Sequence, residues 1–105
     1  MARRVADVSA PGGRIVAWAN VSTTTPVFNA GFNISSITRN AAGDITYTFA
    51  APLIDANYAV VFGHTNSGTE SRLFATPTNA SVRVSTFDAA FAAIDVGPQT
   101  ILVVR

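Results

Sequence analysis

Gly43-Asp44-Ile45-Thr46-Tyr47-Thr48-Phe49 is the stretch that decides the fold. Successive side chains of an extended chain point to opposite faces, so Ile45, Tyr47 and Phe49 share one side while Thr46 and Thr48 share the other. β-Branched and aromatic residues, the types that suit a pleated, half-buried surface, fill the run. Just before it, Asn40-Ala41-Ala42-Gly43-Asp44 supplies Asn and Gly, which tolerate positive φ. This reads as a hairpin turn that sets the register and sends Ile45, Tyr47 and Phe49 into a core.

Outward from this strand the same grammar recurs. Toward the N-terminus, Ile15 to Val21 alternates loosely around Trp18, and Thr23-Thr24-Thr25-Pro26 breaks it. Val27 to Ile37 carries Phe28, Phe32, Ile34 and Ile37, with Gly31 expected at a bulge or bend. Toward the C-terminus, Pro52 ends the central strand, and Tyr58, Val60 and Phe62 alternate with Ala59, Val61 and Gly63. His64 to Arg72 is polar and reads as a loop, and Leu73-Phe74-Ala75 reads as a short strand. Val82 and Val84 alternate with Arg83 and Ser85, and Ile101 and Val103 stand opposite Leu102 and Val104. The stretch from Phe87 to Ile94 has good helix formers, but an ordered loop is the preferred reading. Trp18, the largest apolar group, is expected to anchor the core or a subunit seam, with the core preferred because Trp is highly buried on average. Short strands at regular spacing predict an all-β fold, an antiparallel, jelly-roll-like β-sandwich knob of about seven or eight strands.

Residues 1–13 differ from the rest. Arg3, Arg4 and Asp7 sit among small residues, and Pro11-Gly12-Gly13 cannot continue a helix or a central strand. The organisation expected is an N-terminal arm over 1–13 and a knob domain over 14–105. The first residues carry no apolar stretch of the secretory kind, and no run approaches the ~18 apolar residues of a membrane-spanning helix.

Composition narrows the function classes. The 105 residues are 49% hydrophobic and only 12% charged. Soluble domains carry about twice that charge, so part of the surface is expected to be covered in an assembly. All seven basic residues are Arg and the net charge is +1, which argues against a nucleic-acid footprint of clustered cations. With no Cys, disulfides, thiolate catalysis and Cys-type zinc sites are excluded. His64 stands alone among histidines. Asp7, Asp44, Asp55, Glu70, Asp88 and Asp95 show no metal-loop spacing, so no cofactor or metal is implied. No Gly-x-Ser-x-Gly elbow singles out a nucleophile. Catalysis would need at least two of a Ser, His64, Asp55, Asp88 and Asp95 to converge. The chain is therefore read as non-enzymatic. Asn20, Asn33 and Asn79 each begin an Asn-x-Ser tripeptide and are taken as polar residues of turns and strands.

Five ordered blocks carry a resemblance. They are Ala17-Trp18-Ala19-Asn20-Val21, Phe32-Asn33-Ile34-Ser35-Ser36-Ile37-Thr38, Gly43 to Phe49, Asp55-Ala56-Asn57-Tyr58-Ala59-Val60, and Ser81 to Phe87. In this order they resemble a domain found at the C-termini of bacteriophage tail-fibre and related tail proteins, over about residues 14 to 105. The resemblance implies a β-structured knob that caps a fibre and is often trimeric; it implies no catalytic residues. Because only a short arm precedes the matched region, a small virion protein is favoured: a decoration protein, a head fibre or a separate tip subunit. The partners expected are further copies of the chain as a homotrimer, and other virion proteins of capsid, fibre or tail.

Two groups of contact residues follow. Arg3, Arg4 and Asp7 on the arm are candidates for attachment to a partner, because Arg forks pair well with carboxylates. His64, Asn66, Glu70 and Arg72 form a candidate ligand loop for a host receptor or glycan, since binding residues concentrate on loops carried by a rigid scaffold.

Overall fold

A computed structural model describes residues 14–64 and 68–105. The expectations for Arg3, Arg4, Asp7 and Asn66 lie outside the described residues. Within them the chain is all-β and forms eight strands: β1 Ile15–Ser22, β2 Val27–Phe32, β3 Ile34–Ala41, β4 Asp44–Phe49, β5 Ala59–His64, β6 Glu70–Leu73, β7 Ser81–Phe87 and β8 Gln99–Val104. They make two four-stranded sheets, β2-β1-β8-β5 and β3-β4-β7-β6. Every neighbouring pair is antiparallel. This is the expected β-sandwich.

The core lies between the sheets and follows the pleat. β4 buries Ile45, Tyr47 and Phe49, as the central run predicts, and β7 buries Val82 and Val84. From the other sheet come Ala17, Ala19 and Val21 of β1 and Ile101 and Val103 of β8. Val60 and Phe62 of β5 pack against this cluster from the edge. Each large aliphatic or aromatic side chain so buried stabilises the fold by about 1.5–3 kcal/mol before chain entropy is counted.

The chain changes sheets between β2 and β3 at Asn33, whose φ is +56°. Asn is one of the few residues with a side chain that tolerates this region. Its amide is bonded at both ends. Nδ2 donates to the carbonyls of Val16 (3.1 Å) and Ala51 (3.2 Å), and Oδ1 accepts from the Ala51 amide at 2.7 Å. The Asn-x-Ser position is thus a structural switch between the sheets. At the β3–β4 turn, Gly43 has φ +68° and a Cβ there would lie 2.5 Å from the Thr86 carbonyl oxygen, so glycine is required twice over.

Three sequence expectations are corrected. Trp18 is not in the core. The buried residues of β1 are Ala17, Ala19 and Val21, so Trp18 stands on the outer face of its sheet, half-buried between Phe32 of β2 and Leu102 of β8. Gly31 is not the bulge. Asn20 faces Ala30 and Val21 faces Phe28, which makes Asn29 the extra residue. Gly31 lacks a side chain because one would meet the Phe28 ring at 2.6 Å. β6, the second strand after the central hairpin, begins at Glu70, earlier than the Leu73 start read from sequence, so Glu70 and Arg72 are strand residues. The Phe87 to Ile94 stretch is a turn-containing loop, as preferred, closed by a bridge between Phe87 and Ala93.

Candidate functional site

β6 places Glu70 and Arg72 on the outward side of the second sheet, beside Phe87 and Ser85 of β7. Residues two apart on a strand share a face, and here they pair: Arg72 Nη2 lies 3.3 Å from Glu70 Oε2. The Arg72 guanidinium also lies over two rings, 5.0 Å from the Phe87 centroid and 5.8 Å from that of Phe91. One strand position further on, Arg83 stacks on Phe74 at 3.9 Å. Arg83 also holds Asp44 through two bonds, Nε to Oδ1 at 2.8 Å and Nη2 to Oδ2 at 2.6 Å. The Arg83 guanidinium keeps the Asp44 carboxyl below the usual carboxylate range. Two cations, two carboxylates and three phenylalanines thus share one surface.

Phe91 is the exceptional member. It is 68% exposed and has φ +64°, a left-handed conformation that is an outlier for a bulky residue. The turn is imposed by Asp88. Its Oδ1 accepts from the amides of Ala90 (2.8 Å) and Ala92 (3.0 Å), and its backbone N–H donates to the Ala92 carbonyl. Strain of this kind costs about 1–3 kcal/mol, and it clusters at ligand clamps and switch regions. Arg72 and Glu70 belong to the candidate loop named from sequence; the aromatics beside them and Arg83 come from Phe74 just after β6, from Phe87 of β7 and from the turn that follows it. The available signal was the helix-former run Asp88 to Ala93, which holds an isolated Phe with no alternating partner.

His64 ends β5, with Nδ1 2.9 Å from the Thr69 hydroxyl. Its cross-strand partner is Gln99, a buried polar residue that the sequence reading missed. Gln99 Oε1 accepts from the Tyr47 hydroxyl, and Nε2 donates to Thr86 Oγ1 at 2.8 Å; Thr86 in turn bonds Ser71 Oγ at 2.8 Å. Burial pushes the Tyr47 phenol well above its ordinary value, which keeps it a neutral donor. This network ties the two sheets together behind the Arg72 surface.

The acidic residues considered for catalysis are each engaged by other partners. Asp55 binds Arg105 (2.7 and 3.0 Å), and that guanidinium first, then the Asn57 amide, holds its carboxyl low. Asp95 binds Arg39 at 2.8 Å and accepts from the Gly43 amide at 2.9 Å, which lowers its carboxyl likewise. Asp88 serves its own turn. Among the described residues no group of three or more His, Asp or Glu is placed to hold a metal ion. A cleft of about 310 Å³ lies at the opposite pole, lined by Arg14, Val16, Leu53, Ile54 and Arg105. Its polar groups are two arginines, one already committed to Asp55. Among the described residues, no helix is long and apolar enough to cross a membrane.

No family model matches the chain, and neither a curated protein nor a solved structure matches it.

Proposed function

We propose that the chain is a structural β-knob of a bacteriophage particle, non-enzymatic, that assembles with its own kind into a trimer and is attached to other virion proteins. One observation carries the reading. The five blocks that resemble phage tail-fibre domains fall in order on one antiparallel sandwich: β1, the β2–β3 switch, the β4 hairpin, the turn into β5, and β7. Each block has a structural task there: the Asn33 switch, the Gly43 turn and the Asp55 turn are examples. A scaffold whose distinctive residues serve the fold suits a virion subunit. Immunogold labelling of particles released by lysis tests the proposal. Label on the capsid would make it a decoration protein or head fibre, label at the distal tail a tip subunit, and particles without label would overturn it.

A second reading is favoured by the Phe91 turn. Under it the knob also contacts a receptor or glycan on the host surface, through Phe91, Arg72 and Glu70. Exposed aromatics and Arg are the residues that anchor such contacts. Binding of labelled wild-type and F91S proteins to host cells separates the readings: equal binding, or none by either, removes the adhesive role.

A further inference from the structure

The outer faces of the two sheets differ in chemistry. On the second sheet the outward positions are mostly polar or charged: Ser36 and Thr38 of β3, Thr46 and Thr48 of β4, Ser81 and Arg83 of β7, with Phe87 at one end under the Arg72 guanidinium. On the first sheet they are apolar. A single row crosses all four strands, because Phe32 faces Trp18, Trp18 faces Leu102 and Leu102 faces Val61. Beside it run Ile15, Val104 and Ala59. Phe32 is 56% exposed, Val61 55% and Ile15 53%. The next row, Ala30, Asn20, Thr100 and Gly63, is polar at its centre but uncharged, and its Asn20 Nδ2 is already spent on Thr100 Oγ1 at 2.9 Å. Among the described residues no outward position of these four strands carries a charge.

We infer that this face is the seam between subunits, and that its occupant is a second copy of this chain. The inference rests on the self-assembly part of the proposed function and names the surface that performs it. Charge selects the occupant. A charged partner would lose solvation against the uncharged face with nothing to repay it, whereas a second copy brings apolar, uncharged surface of the same kind. Area selects the arrangement. Four strands about 4.8 Å apart, each with some six residues at a rise of ~3.3 Å, offer roughly 400 Å². That is as large as the biggest apolar patch on an ordinary monomer, which is often functional. It is also about half of the ~800 Å² per partner that a stable interface buries. One face against one face therefore falls short. Beyond the face, the edge of β2 is exposed along its whole length with Val27 and Phe28 open, and contact over that edge enlarges the area. In a closed ring each copy offers the face to one neighbour and the β2 edge to the other, which uses both surfaces and leaves neither wet.

Sedimentation equilibrium tests this on the wild-type chain, V61E and F32E, with S36E as a control that puts the same charge on the outer face of the other sheet. All three residues changed are surface positions, and circular dichroism with a melting curve reports folding for each variant. The expected result is a trimeric wild type and S36E, with V61E and F32E dissociating at least tenfold more readily at unchanged melting temperature. A multimeric wild type that V61E and F32E leave intact, or that S36E dissociates instead, overturns the seam and leaves self-assembly standing. A wild type that stays monomeric overturns both, and one that is monomeric and co-sediments with neutral phosphatidylcholine vesicles gives the face to lipid. Absence of the chain from particles would sink the virion reading alone.

Discussion

Tyr47 and Gln99, 52 residues apart in the chain, meet by a hydrogen bond inside the sandwich, the Tyr hydroxyl of one sheet donating to the amide oxygen of the other. Both side chains are almost fully buried. Their bond, continued through Thr86 and Ser71, satisfies the polar atoms of an otherwise apolar interior.

Removing one partner should therefore cost more than removing both. Y47F leaves Gln99 Oε1 buried and unpaired, a loss of about 1–3 kcal/mol. Adding Q99L to Y47F should recover part of it, because an apolar pair of similar shape needs no partner. Urea unfolding midpoints of the two singles and the double variant measure the coupling; additive losses would show that the bond contributes nothing specific.

G43A should be among the most damaging single methyl additions. The new Cβ would sit 2.5 Å from the Thr86 carbonyl and 2.8 Å from the Ile94 backbone, at a φ that alanine resists. A loss of about 2 kcal/mol or more is expected, combining the positive φ with the clash. G97A, where a Cβ would meet nothing within 4 Å, is the control and should change little. Thermal melts of the pair decide it.

N33A and N33G separate two contributions at the sheet switch. Both lose the side-chain bonds to Val16 and Ala51, but glycine keeps the positive φ without strain. N33A should cost roughly 2–4 kcal/mol and N33G about 1 kcal/mol less. Equal losses would place the whole effect in the hydrogen bonds.

Acid should unfold the domain through its paired carboxylates. Asp44, Asp55 and Asp95 are all held below the usual range, in each case first by an arginine. A carboxyl that is more acidic folded than unfolded stabilises the fold above the unfolded value of about 3.9, and that contribution disappears as pH falls through the folded value. The melting temperature should stay level from neutral pH to about 5 and drop below about 4. D95N should lower it at neutral pH and flatten the acid limb. An acid limb unchanged in D95N would show that the Arg39–Asp95 pair plays no part in it.

F91G should be close to neutral for stability. Relief of the left-handed conformation gains about 1 kcal/mol, and the added freedom of the unfolded chain costs about as much. A melting temperature within a few degrees of wild type is expected. A large fall would mean that the ring packs for the fold and is not on display for a partner.

The alternation of β4, β7 and β8 was legible in the sequence because one face of each is buried and the other is not. The Gly43 turn was legible because few residues tolerate its backbone. Trp18 was not. Nothing local says which face of β1 meets the second sheet, and there the small residues Ala17 and Ala19 won the inward side. Gln99 and Thr23 were illegible for another reason: their partners lie far along the chain, as with Thr23 Oγ1 and the Val96 carbonyl, 73 residues apart. The start of β6 was hidden because its partner β7, rather than its own polar residues, makes Glu70 to Leu73 a strand. Phe91 stood in a run of helix formers, and only the Asp88 turn exposes it.

The ladder between β1 and β8 has a mechanical consequence. It closes with reciprocal backbone bonds, Arg14 N–H to the Arg105 carbonyl at 3.1 Å and Arg105 N–H to the Arg14 carbonyl at 2.9 Å, so these two residues leave the sandwich side by side. A pull applied between them would peel the two central strands apart one bond at a time, like a zip, at low force. A pull between Arg14 and the Phe91 turn, at the Gln99 pole, loads the sheets along their length and must shear many bonds at once. The domain should therefore resist a pull along its length and yield early to one applied between Arg14 and Arg105.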